Sequence, residues 1–98
     1  MHVTILGQGA MGSRMGDRLE ATGYTVTRWN RSGATCSPRE AVTDAEVVIA
    51  TLRDDDASRA VWLHPDDGAL AGLAVDALAI ESSTLTVDWI RELAAAMD

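Results

Sequence analysis

The chain has 98 residues, 47% of them apolar, which is enough for one domain with one small core. Fifteen acids against eight bases give a net charge of −7, which argues against a nucleic-acid binder, since such proteins carry a basic face. The apolar stretches fall short of the ~18 residues of a membrane span, no basic-then-apolar leader is present, and the lone Cys36 excludes an intrachain disulfide or a cysteine-rich zinc site; a cytoplasmic protein without nucleic-acid or membrane partners is expected.

Residues 2–6 read HVTIL, a β-branched run ended by Gly7, and predict a strand. Residues 10–22 follow with Met11, Met15 and Leu19 at i, i+4 and i+8, one apolar face of a helix. Gly23 suits its end, because glycine adopts a left-handed conformation cheaply. Residues 24–29 read YTVTRW and predict a second strand. Residues 30–33 read as a loop. Ser37, Pro38 and Glu40 form a helix start with a capping box, and that short helix should end near Asp44. Residues 47–52, VVIATL, have the continuous apolar character of a strand buried on both faces.

Asp54, Asp55 and Asp56 stand where carboxylates favour a helix N-terminus, which is a simpler role than metal ligation. That helix should run through Ala60, Val61 and Leu63 to the break at His64-Pro65. Residues 78–82 predict a fourth strand. Thr86 can cap a last helix carrying Ile90, Leu93 and Met97 on one face. Alternating strands and helices predict a parallel sheet with helices on its faces, ordered second, first, third, fourth.

Charge is uneven along the chain. Residues 1–53 sum to +1 and residues 54–98 to −8, so an anionic ligand meets less repulsion at the first half. There the sequence Gly7-Gln8-Gly9-Ala10-Met11-Gly12 is a G-x-G-x-x-G turn between a predicted strand and a predicted helix. In such a turn Gly7 permits the tight bend, Gly9 lets a pyrophosphate approach the backbone, and Gly12 lets the helix pack on the strand. Backbone N–H groups at the helix start hold the phosphates.

The run from His2 to Ser32 resembles the N-terminal half of the β-hydroxyacid dehydrogenases, a family that includes 3-hydroxyisobutyrate dehydrogenase and 6-phosphogluconate dehydrogenase, with imine reductases sharing the architecture. Met11 stands at the methionine of their G-x-G-x-M-G turn, and Trp29-Asn30-Arg31-Ser32 matches the end of their second strand. SPREAVTDAEVVIATLRDDDASRAVW, beginning at Ser37, resembles their SPxEAVxxADVVITMLPDDxAVxxVL region, and Ile80-Glu81-Ser82-Ser83-Thr84 resembles their IDxST segment. The resemblance spans the chain. It implies an α/β domain with a Rossmann-like doubly wound parallel sheet that binds a nicotinamide dinucleotide; in these 98 residues that sheet is expected to be reduced to about four strands, with no second domain.

In dinucleotide folds an acid ending the second strand binds the adenosine ribose. Here that position is Asn30, 23 residues past Gly7, followed by Arg31 and Ser32. No carboxylate repels a 2′-phosphate and Arg31 can pair with one, so NADP is expected, with NAD possible. Thr51, Leu52 and Arg53 end the third strand, where ligands lie in open α/β sheets, and are candidate cofactor contacts. Relatives often have proline at Arg53. The resemblance places Thr84 near the nicotinamide and Ser83 near the substrate. Hydroxyls there can meet a substrate carboxylate or the carboxamide, or cap the following helix.

The chain departs from its relatives in two ways. The resemblance assigns the catalytic lysine to a further, all-helical domain, and these 98 residues contain no lysine. No catalytic residue is therefore assigned. Relatives also place a helix and a strand between the N-R-[ST] loop and the S-P-x-E helix, where only residues 33–36 stand here. An edge strand is expected to be missing or a stub around residues 34–36, since a parallel crossover needs about a dozen residues. His2 and His64 have no metal or triad spacing, Cys36 reads as a packing or surface thiol, and Trp62 and Trp89 as core or interface. The expected function is an NADP(H)-binding domain of such an oxidoreductase, possible partners being a second copy or a separate catalytic-domain chain. The alternatives are one half of a split enzyme, or a remnant that binds nothing.

Overall fold

The computed structural model describes residues 1–7, 9–31, 36–74, 76–83 and 85–97. Four parallel strands form one sheet in the order β2-β1-β3-β4, as the alternation predicts: β1 (His2–Leu6), β2 (Thr25–Trp29), β3 (Val47–Ala50) and β4 (Leu78–Glu81). The helices are α1 (Ala10–Ala21), α2 (Pro38–Val42), α3 (Asp55–Leu63), α4 (Ala69–Gly72) and α5 (Val87–Met97). No helix among the described residues is long and apolar enough to cross a membrane.

Strand alternation sorts the sheet into two unlike faces. Thr4, Leu6, Val48 and Ala50 point to one side, all fully buried, and Thr4 donates its hydroxyl to the carbonyl of Ala41 on α2 at 2.7 Å. The main core fills this side, with Trp29, Val42, Val61, Trp62, Trp89 and Leu93. Both acidic-half tryptophans are thus core residues. The opposite side carries Val3 and Ile5, buried beneath α1, then Ile49, Ile80 and Leu78. Leu78 is 58% exposed and Ile80 39%, because α1 reaches only across β1 and β2. α1 leads to β2 on one face and α2 leads back to β3 on the other. This is the arrangement right-handed crossovers impose when the strand order reverses direction at β1.

Local sequence explains most boundaries. Gly23 has φ +106° and follows the last turn of α1. Ser37 and Glu40 form the expected capping box, with Pro38 in the first turn. Asp54 caps α3 by accepting from the Ala57 N–H at 2.8 Å, and Asp55 and Asp56 occupy its first turn. Thr86 Oγ1 accepts from the Trp89 N–H at 3.3 Å.

Three features of the helices go beyond what the sequence patterns convey. α1 does not bury Met11, Met15 and Leu19: its buried residues are Gly12 and Gly16, and Met11 is 55% exposed. Gly12 packs against the Gly7 carbonyl and the Thr51 hydroxyl and Gly16 against the Arg28 guanidinium, and the apolar stripe lies to the flank. α5 buries Trp89 and Leu93 while Ile90 stays exposed, because the larger indole sets the rotation of the helix. The single turn α4, too short to show a period, was not anticipated; it docks on α2, where a Cβ at Gly72 would come within 2.3 Å of the Arg39 carbonyl. The expected stub around residues 34–36 lies mostly outside the described residues; among those described, β2 and β4 are the two edge strands.

Candidate functional site

The carboxyl ends of all four strands open into one cleft of about 650 Å³, within the range of small-molecule and cofactor sites. It lies at the switch point of the sheet, where β1 sends the chain first to β2 and later to β3, and where open α/β sheets bind ligands. Gly7, Gly9, Ala10, Met11 and Gly12 form its floor, after β1. Asn30 and Arg31 line it after β2, Thr51, Leu52 and Arg53 after β3, and Ser82 and Ser83 after β4. Every sequence-predicted site residue within the described part is thereby gathered into one cavity. Gln8, Ser32 and Thr84 lie outside the described residues.

The three glycines of the turn have different physical reasons. Gly7 has φ +104°, and a Cβ there would meet the Thr51 carbonyl oxygen at 2.3 Å. A Cβ on Gly12 would meet the Gly7 carbonyl oxygen at 2.3 Å and Thr51 Oγ1 at 2.7 Å. Both are therefore demanded by the fold. Gly9 has an ordinary backbone, φ −69° and ψ −173°, and a Cβ there would meet none of the described residues within 4 Å. The described residues do not demand glycine at this position, and the space in front of its backbone is open to a ligand. The cradle fits a pyrophosphate: Gly9 is the N-cap of α1, offers no capping side chain, and the first turn carries no acid. α2 and α3, by contrast, are closed by Ser37 and Asp54.

Thr51 locks the turn to β3. Its N–H donates to the Leu6 carbonyl at 2.9 Å and its hydroxyl to the Gly7 carbonyl at 3.2 Å. The Gly7 N–H donates to the Trp29 carbonyl at 2.7 Å, and Trp29 Nε1 donates to the Cys36 carbonyl at 2.9 Å. These bonds hold the ends of β2, β1 and β3 in one frame. Arg31 lies at the β2 end of the cleft. Arg53, almost fully exposed, pairs with Asp54 at 3.4 Å on the other wall.

The β4 end carries a polar cluster that sequence reasoning missed. Ser83 Oγ donates to Glu81 Oε1 at 2.6 Å and accepts from the Leu52 N–H. Glu81 Oε2 accepts from Ser58 Oγ and from Trp62 Nε1, each at 2.9 Å. A signal was present. β4 alternation puts Glu81 on the core side with Ala79, and Ser58 and Trp62 share one face of α3 at i and i+4. Ser82, a lining residue, was also not singled out.

With this geometry in view, the comparisons are specific. The family model described as the NAD binding domain of 6-phosphogluconate dehydrogenase matches residues 2–98. The oxidoreductase YfjR of Bacillus subtilis is 33% identical over 108 residues, covering 98% of this chain and 37% of that protein. The cytokine-like nuclear factor N-PAC of Homo sapiens is 31% identical over 104 residues, covering 94% of this chain and 19% of that protein. Among solved structures, the 3-hydroxyisobutyrate dehydrogenase of Mycobacterium tuberculosis superposes with a TM-score of 0.83 at 32% identity, over 97% of this chain and 36% of its own. An imine reductase of Streptomyces aurantiacus gives 0.66 at 26% identity, over 98% of this chain and 38% of its own. The chain thus spans about a third of the length of the oxidoreductases it matches.

Proposed function

Since the chain belongs to the family of the NAD-binding domain of 6-phosphogluconate dehydrogenase, we propose that its cleft holds NADP(H) in preference to NAD(H), as the cofactor half of an oxidoreductase. The observation that carries the reading is Gly9, a glycine that neither backbone strain nor packing requires, at the mouth of an uncapped helix. When bound, the dinucleotide supplies a hydride donor or acceptor. The chain's own residues orient it: the α1 N-terminus takes the pyrophosphate, Asn30 and Arg31 the adenosine end, and Thr51, Leu52, Arg53 and Ser83 the nicotinamide end.

The preference for a 2′-phosphate rests on Arg31. The residue ending β2 is Asn30 rather than an acid, so no carboxylate stands to bind a 2′-hydroxyl or repel a phosphate, and an arginine follows. Titration calorimetry with NADPH and NADH tests both points. NADPH should bind more tightly, and Arg31→Ala should weaken NADPH by roughly 1.5–3 kcal/mol, as for a lost charge-assisted hydrogen bond, with NADH nearly unaffected. Equal weakening of the two would remove the NADP assignment; no binding of either would remove the cofactor reading.

The proton chemistry of the proposed oxidoreductase comes from outside the cleft. Its described lining residues hold no histidine, lysine or carboxylic acid, only the permanently charged Arg31 and Arg53. A helical catalytic domain, in the same polypeptide or a partner chain, supplies the acid in this reading.

A further inference from the structure

We propose that Glu81 is a positioning residue that fixes the hydrogen-bond polarity of Ser83, so that the β4 end of the cleft accepts the uncharged carboxamide of a nicotinamide and rejects the carboxylate of its nicotinic-acid counterpart. The inference rests on the dinucleotide reading above and goes further than it. Sequence alone leaves open whether Ser83 meets a carboxylate or an amide; the hydrogen-bond geometry decides between them.

The direction of each bond is forced. An indole N–H can only donate, so Trp62 Nε1, wholly buried, makes Glu81 Oε2 an acceptor, and the buried Ser58 hydroxyl donates to the same oxygen. An ionised carboxylate accepts at both oxygens, so Oε1 takes the Ser83 hydroxyl proton at 2.6 Å. The backbone N–H of Leu52 then fills one lone pair of Ser83 Oγ. A serine hydroxyl has one proton and two lone pairs. One lone pair is all that Ser83 retains for a ligand in the cleft it lines. Toward that ligand it is an acceptor, with a carboxylate immediately behind it. An N–H donor is welcomed there, and an anion meets two sets of lone pairs. The sheet order assigns the end of the ligand concerned. The adenosine side lies beyond β2, so the ring and its carboxamide fall toward β3 and β4.

Glu81→Gln inverts the relay without changing its shape. Trp62 Nε1 still demands an oxygen, so the amide oxygen turns to Trp62 and the NH₂ group faces Ser83. That NH₂ and the Leu52 N–H then fill both lone pairs of Ser83 Oγ, and its proton is released toward the cleft. The experiment titrates the purified chain with NADP⁺ and with nicotinic acid adenine dinucleotide phosphate, which differ only in carboxamide against carboxylate. The unsubstituted protein should prefer the carboxamide by about tenfold or more, the scale of one hydrogen bond exchanged for an unsatisfied contact. Glu81→Gln should abolish or reverse that preference. Ser83→Ala, which retains the Glu81 charge, should reduce it to within about twofold, and it carries the test alone should Glu81→Gln fail to fold.

Three results overturn the inference while leaving the dinucleotide reading intact: equal affinities in the unsubstituted protein, an unchanged preference in a folded Glu81→Gln, or an unchanged preference in Ser83→Ala. The last would mean that Glu81 acts through its field and not through the serine. Failure of either dinucleotide to bind the unsubstituted protein removes both.

Discussion

Gly9 and Gly12, three positions apart in one turn, should separate folding from binding. A Cβ on Gly12 runs into the Gly7 carbonyl and the Thr51 hydroxyl, which are themselves bonded to each other. Gly12→Ala must therefore push α1 off the sheet, with an expected loss of about 1–3 kcal/mol in stability, as for overpacking. Gly9→Val places its side chain in open space on an extended backbone that valine adopts readily. Its unfolding free energy should stay within about 1 kcal/mol of the parent, the scale of exchanging a favourable helix N-cap for an apolar one. Its dinucleotide binding should be lost, because the side chain fills the pyrophosphate's place. Thermal melts and calorimetry on the two variants check the contrast; a Gly9→Val protein that still binds NADPH would show that the phosphates lie elsewhere.

At the scale of elements, the joint between α3 and α5 is an acid-sensitive one. Asp55, in the first turn of α3, accepts the Thr86 hydroxyl at 2.5 Å and the Thr86 N–H at 2.9 Å, and Thr86 in turn caps α5. These bonds, chiefly the one from the hydroxyl, hold the Asp55 carboxyl below its usual range, with a lesser contribution from Arg59. A pKa lowered in the folded state gives stability that is present above the unfolded value of about 3.9 and is lost as pH falls through the folded one. Asp55→Asn should accordingly melt below the parent at neutral pH, and the two curves should converge in acid. A gap that persists unchanged below that window would mean that the charge plays no part.

Asp55 also shows what sequence can and cannot convey about elements. Its place at a helix start is legible from three consecutive acids, whereas its bond to Thr86, 31 residues on, is not. The same division runs through the fold. Strands and caps follow from local chemistry: β-branched runs, the Ser37-Pro38-Glu40 start, and the positive φ that Gly23 takes. Helix rotation does not. α1 has a clean stripe of Met11, Met15 and Leu19, yet the glycine side faces the sheet, because close approach there outweighs the burial of longer side chains. The cleft was legible because its residues sit in motifs at strand ends. The Glu81 relay was not, because it joins α3, β3 and β4 through side chains whose meeting depends on tertiary packing.

On the scale of the whole molecule, the described residues lining the cleft include no histidine, lysine or carboxylic acid, and this bears on what the 98 residues do alone. Hydride transfer to a carbonyl or imine needs a positioned acid, worth about 10²–10⁴ in rate, and an oriented substrate adds further. Two carboxylates adjoin lining residues in sequence: Glu81 is held by Ser58, Trp62 and Ser83, and Asp54 is engaged with the Ala57 N–H at the start of α3 and with Arg53. Neither lines the cleft. On the sheet face that α1 covers at Val3 and Ile5, Leu78 and Ile80 of β4 remain exposed among the described residues. The purified 98 residues should therefore bind NADPH yet give no absorbance decay at its reduced-nicotinamide band, above the rate in buffer, with glyoxylate, succinic semialdehyde or a cyclic imine. A saturable rate with any of these would mean that an acid within the 98 residues reaches the substrate. Glu81→Gln and Asp54→Asn would then identify it, by loss of the rate in one variant while NADPH binding persists.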